Sequence, residues 1–252
     1  MPGAPRDGSS RLPEAALVLA LVLALGLGGS ACTLTQRPSV KMVDPTLREQ
    51  GRELTRERRK GGFALGPYEI HDVGMRNEPP DPDGPLASED VRRPVTQHRA
   101  GLVLDAPTGR SWTTSCTLQR RASVAADYRA VLDENGDEVA VACVAKAKGL
   151  PPWSFEARTL LSENFVGPLG QEGQEPPSHQ LEVLTRAIHF KRLERLLPVP
   201  VVQLRQGSRA LVATLLGRPE RAWMADDVDP LPAEAGLAVM LTLRYLPWEL
   251  AE

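Results

Sequence analysis

Alternation of apolar and polar side chains is the dominant pattern along the chain, and it predicts a protein built of β-strands. Residues 111–119 show it most regularly, because Trp112, Thr114, Cys116 and Leu118 alternate with more polar positions. Successive side chains of a strand point to opposite faces of a sheet, so this pattern buries one face. Ten segments are predicted as strands on this basis: residues 63–73, 95–104, 111–119, 124–132, 138–145, 154–161, 181–190, 199–205, 208–216 and 220–224.

A tight hairpin is predicted at Asn135-Gly136, because this dipeptide favours a two-residue turn between strands. The turn would pair Tyr128 with Cys143 and place the two flanking strands side by side. If the preceding strand, residues 111–119, lies beside them in chain order, the three form a plain meander; another strand order is left open.

A C-terminal helix is the clearest exception to the β pattern. Asp229 can cap it, Pro230 suits its first position, and a mostly apolar segment continues to Leu246. We expect this helix to pack on the sheet.

The segment before the first predicted strand is strongly charged. Asp44-Pro45 can start a helix, and residues 47–60 are then mostly Arg and Glu. We therefore expect a charged helical tether over residues 32–60. Its basic end could contact anionic lipid or cell wall, although a solvated spacer is the favoured interpretation.

Two further segments, residues 74–94 and 167–178, are rich in Pro and Gly and are predicted as surface loops. Residues 181–197 fit either a strand or one helical face, and the strand is favoured for the first half.

A short apolar run near the N-terminus differs from everything that follows. Residues 15–27 consist of Ala, Leu and Val apart from one glycine, with Arg6 and Arg11 before them and small residues 28–31 after them. A spanning helix needs about 20 apolar residues. The run is shorter than that and has the length of a signal-peptide core.

The basic start, the apolar run, the small residues and Cys32 together resemble the signal peptide of a bacterial lipoprotein. The resemblance implies that residues 1–31 are removed and that acylated Cys32 anchors the chain to a membrane. Gly29 stands where that family usually has leucine. Ordinary signal peptidase could instead cut the same bond and leave a free thiol. In enteric members an aspartate after the cysteine signals inner-membrane retention, so Thr33 favours an outer-membrane lipoprotein facing the periplasm or the cell surface.

Composition narrows the class of protein further. The formal net charge of −2 gives no overall basic field that would attract nucleic acid. Arginine greatly outnumbers the five lysines, and Ala, Pro and Gly are abundant, which indicates a bacterium with a GC-rich genome. Without the leader 221 residues remain, and residues 61–252 are predicted to form a single β-rich domain.

Cys116 and Cys143 would be the two cysteines left after acylation of Cys32, an even pair in an oxidising compartment. A bond between them would stabilise the fold by about 3.5 kcal/mol in the chain-entropy model. Two buried thiols are the alternative. In the meander they would lie roughly 9.6 Å apart, beyond the limit of about 7 Å, so a bond requires the first strand to lie beside the third or on a facing sheet.

Candidate catalytic and metal-binding residues are few. The chain has no Gly-x-Ser-x-Gly, Ser-x-x-Lys, His-Glu-x-x-His, Walker or Gly-x-Gly-x-x-Gly motif. His71, beside Asp72, and His98 could meet in space, but solvent-facing or packing roles are favoured for them and for His179 and His189. No metal or cofactor is expected.

Two clusters of oxygen side chains invite a calcium-binding or acidic-site interpretation. Asp133, Asn135 and Asp137 lack the glycine and glutamate spacing of an EF-hand, and the turn itself accounts for them. Asp226 and Asp227 are expected to face solvent.

These observations predict a mainly β protein: an antiparallel β-sandwich or partly open barrel with a C-terminal α-helix, preceded by the charged helical tether. The expected function is that of a membrane-anchored envelope lipoprotein with a non-enzymatic structural or partner-binding role, toward another envelope protein or the cell wall. The alternatives are a carrier of a hydrophobic ligand in a β-rich cavity and an enzyme with an unrecognised site.

Overall fold

The computed structural model describes residues 38–79, 95–121, 138–160, 165–174, 177–184, 201–215 and 220–247. In chain order the elements are a 3-10 helix (Pro38–Met42), α1 (Pro45–Gln50), β1 (Arg52–Arg59), β2 (Gly62–Leu65), β3 (Tyr68–Glu78), β4 (Val95–Asp105), β5 (Ser111–Arg121), β6 (Glu138–Ala147), β7 (Trp153–Leu160), β8 (Phe165–Gln171), β9 (His179–Leu184), β10 (Val201–Gln206), β11 (Arg209–Leu215), β12 (Arg221–Met224) and α2 (Pro230–Leu243).

The 12 strands form one closed antiparallel barrel in which each strand lies between its neighbours in the chain. Pairing of β1 with β12, from Arg52 opposite Met224 to Thr55 opposite Arg221, closes the ring. The mainly β class and the C-terminal helix are thus confirmed. The sandwich and the partly open barrel are not what the chain forms, because β1 supplies the strand that closes the sheet.

The segment predicted as a helical tether contains this closing strand. The helix α1 ends at Gln50, and Arg52–Arg59 is β1, so the helix prediction was wrong for these residues. Only Leu54 of β1 is buried, which is why its sequence lacks a strand-like apolar face. The neighbouring strands β2 and β12 supply backbone hydrogen-bond partners, and these override the helical propensity of Arg and Glu.

Residues 40–50, before β1, pack on the outside of the barrel. Val40, Val43 and Leu47 form an apolar cluster with Trp223 and Val201, which lie on the outer face of the strands. The backbone N–H of the α1 cap, Asp44, donates to the side-chain oxygen of Gln203 at 2.9 Å. Residues 38–50 are therefore part of the folded body and not a solvated spacer.

The helix α2 occupies the interior of the barrel, whereas the sequence predicted a helix lying on a sheet. It packs against β4, β5 and β6 on one side and against β10 and β11 on the other. Gly236 faces Leu204 and Leu169, inward residues of β10 and β8. All 12 residues from Pro232 to Leu243 are buried. The helix is apolar on every side because every side meets the barrel wall.

Cys116 and Cys143 face each other across β5 and β6 and form a disulfide. Both cysteines lie in the core, as the alternation in β5 predicts. Cys143 also pairs with Phe155 on β7, so both edges of β6 are occupied and the predicted pairing of Tyr128 with Cys143 was wrong. The bond forms because the first strand lies beside the third; residues 124–132 are outside the described part of the chain.

Most other predicted strands that fall on described residues agree with the structure, with differences in division and bounds. The first predicted strand is divided into β2 and β3 by a turn at Gly66-Pro67, and β3 continues to Glu78 into a predicted loop. The strand β8 lies largely within the other predicted loop. The strand favoured at the start of residues 181–197 is present as β9, and the remainder of that segment lies outside the described residues.

Candidate functional site at one end of the barrel

A buried carboxylate near the start of α2 holds the helix to the barrel wall. Glu234, 1% exposed, accepts hydrogen bonds from Arg110 Nε at 2.7 Å and Nη2 at 3.1 Å. It also accepts from Trp112 Nε1 at 3.0 Å and Thr108 Oγ1 at 2.7 Å. These four contacts use both carboxylate oxygens, and the group is enclosed by its own partners. The network is built to fix the helix and not to meet a ligand.

A second charged network lies where α2 ends. The buried carboxylate of Glu220 accepts from Arg56 Nη1 at 2.6 Å and lies against the guanidinium of Arg244. Burial by itself would raise the pKa of Glu220, but the two guanidinium groups outweigh it and hold the pKa below its ordinary value. Arg56 also lies over the ring of Phe63, 4.5 Å from its centroid. Both ends of the interior helix are therefore tied to the wall by ion pairs.

A half-exposed histidine cluster lies at the point where β3 leaves β2. His71 Nε2 is 2.9 Å from Asp105 Oδ2, and His71 Nδ1 is 3.1 Å from Asp72 Oδ2. The hydrogen bond to Asp105 raises the pKa of His71 above its ordinary value, with a smaller contribution from Asp72. Ser111 and then His71 lower the pKa of Asp105 by hydrogen bonding. The imidazolium form can donate one hydrogen bond to each carboxylate.

This cluster stabilises a bulge in β3. The register with β4 shifts between His71 and Gly74, and Asp72 has a φ of 52°, an uncommon value outside glycine that Asp tolerates better than most residues. The contact with His71 gives the exposed Asp72 side chain a partner at the bulge. Before the bulge β3 pairs with β2 on one side and β4 on the other, and beyond it β3 pairs only with β4 among the described residues.

Beyond the bulge, one side of β3 has no strand partner in the part of the chain that the structure describes. Residues 74–78 pair with β4 on one side, but on the other side β2 begins only at Gly62, which pairs with His71. Val73 is 37% exposed and Met75 59% exposed. We call residues 73–78 the β3 edge. Unpaired strand edges present backbone N–H and C=O groups that another strand can bond.

A basic turn lies beside the start of the β3 edge. Arg58, Arg59 and Lys60, at the end of β1, are all exposed. Arg59 contacts Glu57 at 2.9 Å, but neither Arg58 nor Lys60 makes an ion pair with any residue that the structure describes. Because Arg59 pairs with Gly62, and Gly62 with His71, the turn lies beside the bulge. We call these three cations the basic turn, and together with the β3 edge they form the candidate site.

His71 and His98, which were expected to be able to meet in space, lie far apart in the structure. His98 Nδ1 lies 2.6 Å from Asn77 Oδ1 and pairs near the far end of β3, whereas His71 lies before the bulge. Six residues of strand place these histidines roughly 20 Å apart, so they do not form one site. His179 is buried with Nδ1 2.7 Å from Ser178 Oγ, and burial lowers its pKa. His189 lies outside the described residues.

The remaining candidate residues have simple positions. Asp229 caps α2 by accepting from Leu231 N at 3.0 Å, as predicted, while Asp226 and Asp227 are exposed and Asp227 contacts Arg209. Cys32 and the oxygen cluster at residues 133–137 lie outside the described residues. Within the described segments, no group of three or more His, Cys, Asp or Glu side chains is placed to hold a metal ion. In those same segments no helix has both the length and the apolar character needed to cross a membrane.

Glu234, Asp105 and the β3 edge were not predicted from the sequence. A lone carboxylate within an otherwise apolar helix was the available signal for Glu234, since a charge there requires a buried partner. Asp105 and the edge depend on the register of β3 against its neighbours, and no local pattern indicates that register.

The fold and the site together define a closed antiparallel barrel with a helix in its interior and, at one end, a strand edge that has no strand partner among the described residues. Comparison with known protein families, characterised proteins and solved structures finds no match to this chain.

The raised pKa of His71 leads to a direct prediction. In an NMR titration its Cε1 proton should report a pKa above the ordinary 6.5, and Asp105→Asn should lower that pKa more than Asp72→Asn. His179 is the internal control, since burial should place its pKa below 6.5. An unchanged His71 titration in Asp105→Asn would contradict the assignment.

The same shift fixes the sign of a small pH effect on stability. His71 stabilises the fold below pH 6.5, and its contribution is lost as the pH rises through the higher folded-state pKa. Asp105 contributes above pH 3.8 and loses its effect as the pH falls through its lowered pKa. Because both groups are well exposed, the effect should be about 0.5 kcal/mol.

Proposed function

We propose that the chain is a lipoprotein of a bacterial cell envelope, anchored through acylated Cys32, whose barrel binds an envelope protein or the cell wall without catalysing a reaction. The leader supports the anchor, because a short apolar run followed by small residues and cysteine is the pattern that lipoproteins share. Thr33 after the cysteine supports the outer membrane over the inner one.

The position of α2 is the observation that supports binding at the surface. A carrier of a hydrophobic ligand needs an internal cavity, and the helix fills the interior with buried side chains in contact with opposite walls. The faces and ends of the barrel then remain for contact with another molecule. The half-exposed cluster at His71 and the β3 edge beside it lie at one of those ends.

The same end receives the longest connections between strands. Odd-numbered strands of the barrel all finish there, and residues 79–94, 122–137 and 185–200 each join an odd strand to the next even one. At the opposite end the strand connections, such as Gly66-Pro67 and residues 207–208, are shorter. The His71 cluster, the β3 edge and the basic turn lie at this end, so we assign partner binding to it and call it the loop end.

Mass spectrometry of the mature protein from bacterial membranes tests the anchor. We expect an N-terminal peptide that begins at Cys32 and carries acyl chains, and a Cys32→Ser variant that loses both the acylation and membrane retention. Loss of residues 1–31 with an unmodified thiol on Cys32 would contradict the anchor while leaving the barrel intact.

Photo-crosslinking in intact cells tests the binding end. A benzophenone side chain replacing Lys60 lies at the loop end, and the same side chain replacing Gln206 lies at an exposed turn of the opposite end. We expect covalent adducts from position 60 and none from position 206. Equal crosslinking at both positions would contradict a partner-binding role of the loop end.

A further inference from the structure

The β3 edge and the basic turn form one notch in the wall of the barrel. A strand that paired with residues 73–78, on the side where the described residues supply no partner, would continue the line of β2 beyond Gly62. The basic turn lies at one end of this notch, because Arg59 pairs with Gly62 and Gly62 with His71. Among the charged groups around it, Arg58, Arg59, Lys60, Arg76 and Arg99 outnumber the carboxylates of Glu57, Asp72 and Glu78.

We propose that the notch binds an extended peptide segment of a partner protein, antiparallel to β3, with carboxylates at the C-terminal end of that segment. This deepens the proposed partner-binding function by naming the kind of partner. Every strand pair in the barrel is antiparallel, so an added strand that follows the same rule runs in the same direction as β2. Beyond Gly62 it runs from Glu78 toward Asp72, and its C-terminal end meets the basic turn.

The side chains along the edge suit a strand partner. Val73 and Met75 offer exposed apolar contacts beside the open backbone, and Gly74 would meet no atom within 4 Å if it carried a Cβ. Arg76 and Arg99 both contact Glu78, which leaves the cations of Arg58 and Lys60 to pair with an incoming carboxylate. Backbone hydrogen bonds provide affinity in this mode of recognition, and side-chain contacts at the end provide orientation.

Fluorescence anisotropy with labelled heptapeptides tests the proposal on the intact chain. The probe is Thr-Val-Thr-Val-Thr-Glu-Glu with a free C-terminus. One control has both glutamates at the N-terminal end, and the other is the probe with N-methylated backbone amides, which cannot form a ladder. We expect the dissociation constant of the probe to be about one tenth of that of either control.

Two variants locate the binding. Arg58→Glu with Lys60→Glu changes only exposed side chains and should abolish the preference for C-terminal glutamates. Met75→Pro removes an edge N–H and should weaken binding of both unmethylated peptides; circular dichroism and thermal unfolding establish that it folds. Retention of the preference in the charge-reversed variant would overturn the assignment of the basic turn.

Other outcomes would overturn the proposal itself. Equal binding of the methylated probe, or no binding of any peptide, would exclude strand addition. If the protein sediments as a dimer and Met75→Pro abolishes the dimer, the occupant is a second copy of the chain. If phosphatidylglycerol vesicles bind and peptides do not, the basic turn is a membrane contact. If no peptide binds although Cys32 is acylated and position 60 gives crosslinks, only the inference of peptide binding fails. An unmodified Cys32 would remove the anchor and leave peptide binding standing.

Discussion

Replacing Glu234 with alanine is expected to lower the free energy of unfolding by about 4 kcal/mol, the loss typical when one partner of a buried ion pair is removed. The carboxylate is enclosed and accepts from Arg110, Trp112 and Thr108. Truncation would leave the Trp112 indole N–H buried without an acceptor and the guanidinium without its counter-charge. For a domain of this size the melting temperature should fall by about 10 °C.

Glu53→Ala is the matched control for this substitution. Glu53 also receives a bidentate guanidinium, from Arg221 at 2.6 and 2.7 Å, but that pair lies on the exposed outer surface. Its loss should cost less than about 1 kcal/mol. Glu234→Gln should fall between the two, because the amide keeps one acceptor and brings its NH₂ group against other donors. Urea unfolding of the three variants would refute the assignment if Glu234→Ala and Glu53→Ala were equally stable.

Most strands of the barrel could be predicted from sequence because one of their faces is buried. In β5 the inward positions from Trp112 to Leu118 are apolar or small and the outward positions are polar, so the pattern with a period of two is visible without a structure. The inward direction of Cys116 follows from the same pattern. Which strand lies beside which does not follow, and the Asn-Gly turn led to a wrong register for β6.

The first strand could not be recognised from its own residues. Arg52–Arg59 has a single buried side chain, Leu54, and owes its conformation to hydrogen bonds with β2 and β12. Closure of the barrel depends on this strand, so a partly open barrel was the natural expectation without it. The bulge at Asp72 was likewise not visible in the sequence, because it is a shift of register against β4, and the contact of the neighbouring His71 with Asp105 joins residues distant in the chain.

The signal in the sequence for the interior position of α2 is the absence of a polar face. A helix that lies on a sheet shows one apolar stripe and one polar face. From Pro232 to Leu243 only Glu234 and Thr242 are polar among mostly apolar residues, and Thr242 bonds Thr114 at 2.5 Å. A helix without a polar face is expected to be surrounded by protein.

Alanine substitutions on opposite sides of α2 should therefore both destabilise the protein strongly. Leu237 and Val239 are fully buried and, at 3.6 residues per turn, point about 160° apart. We expect Leu237→Ala to cost about 4 kcal/mol and Val239→Ala about 2 kcal/mol, since each leaves a cavity against a different part of the wall. Leu231→Ala, at the half-buried start of the same helix, is the control and should cost about 1 kcal/mol. On a helix lying on a sheet, one of the two opposite positions would face solvent and its loss would be within about 0.5 kcal/mol of zero. Thermal and urea unfolding separate these outcomes, and a neutral result for either Leu237→Ala or Val239→Ala would mean that the helix does not fill the barrel.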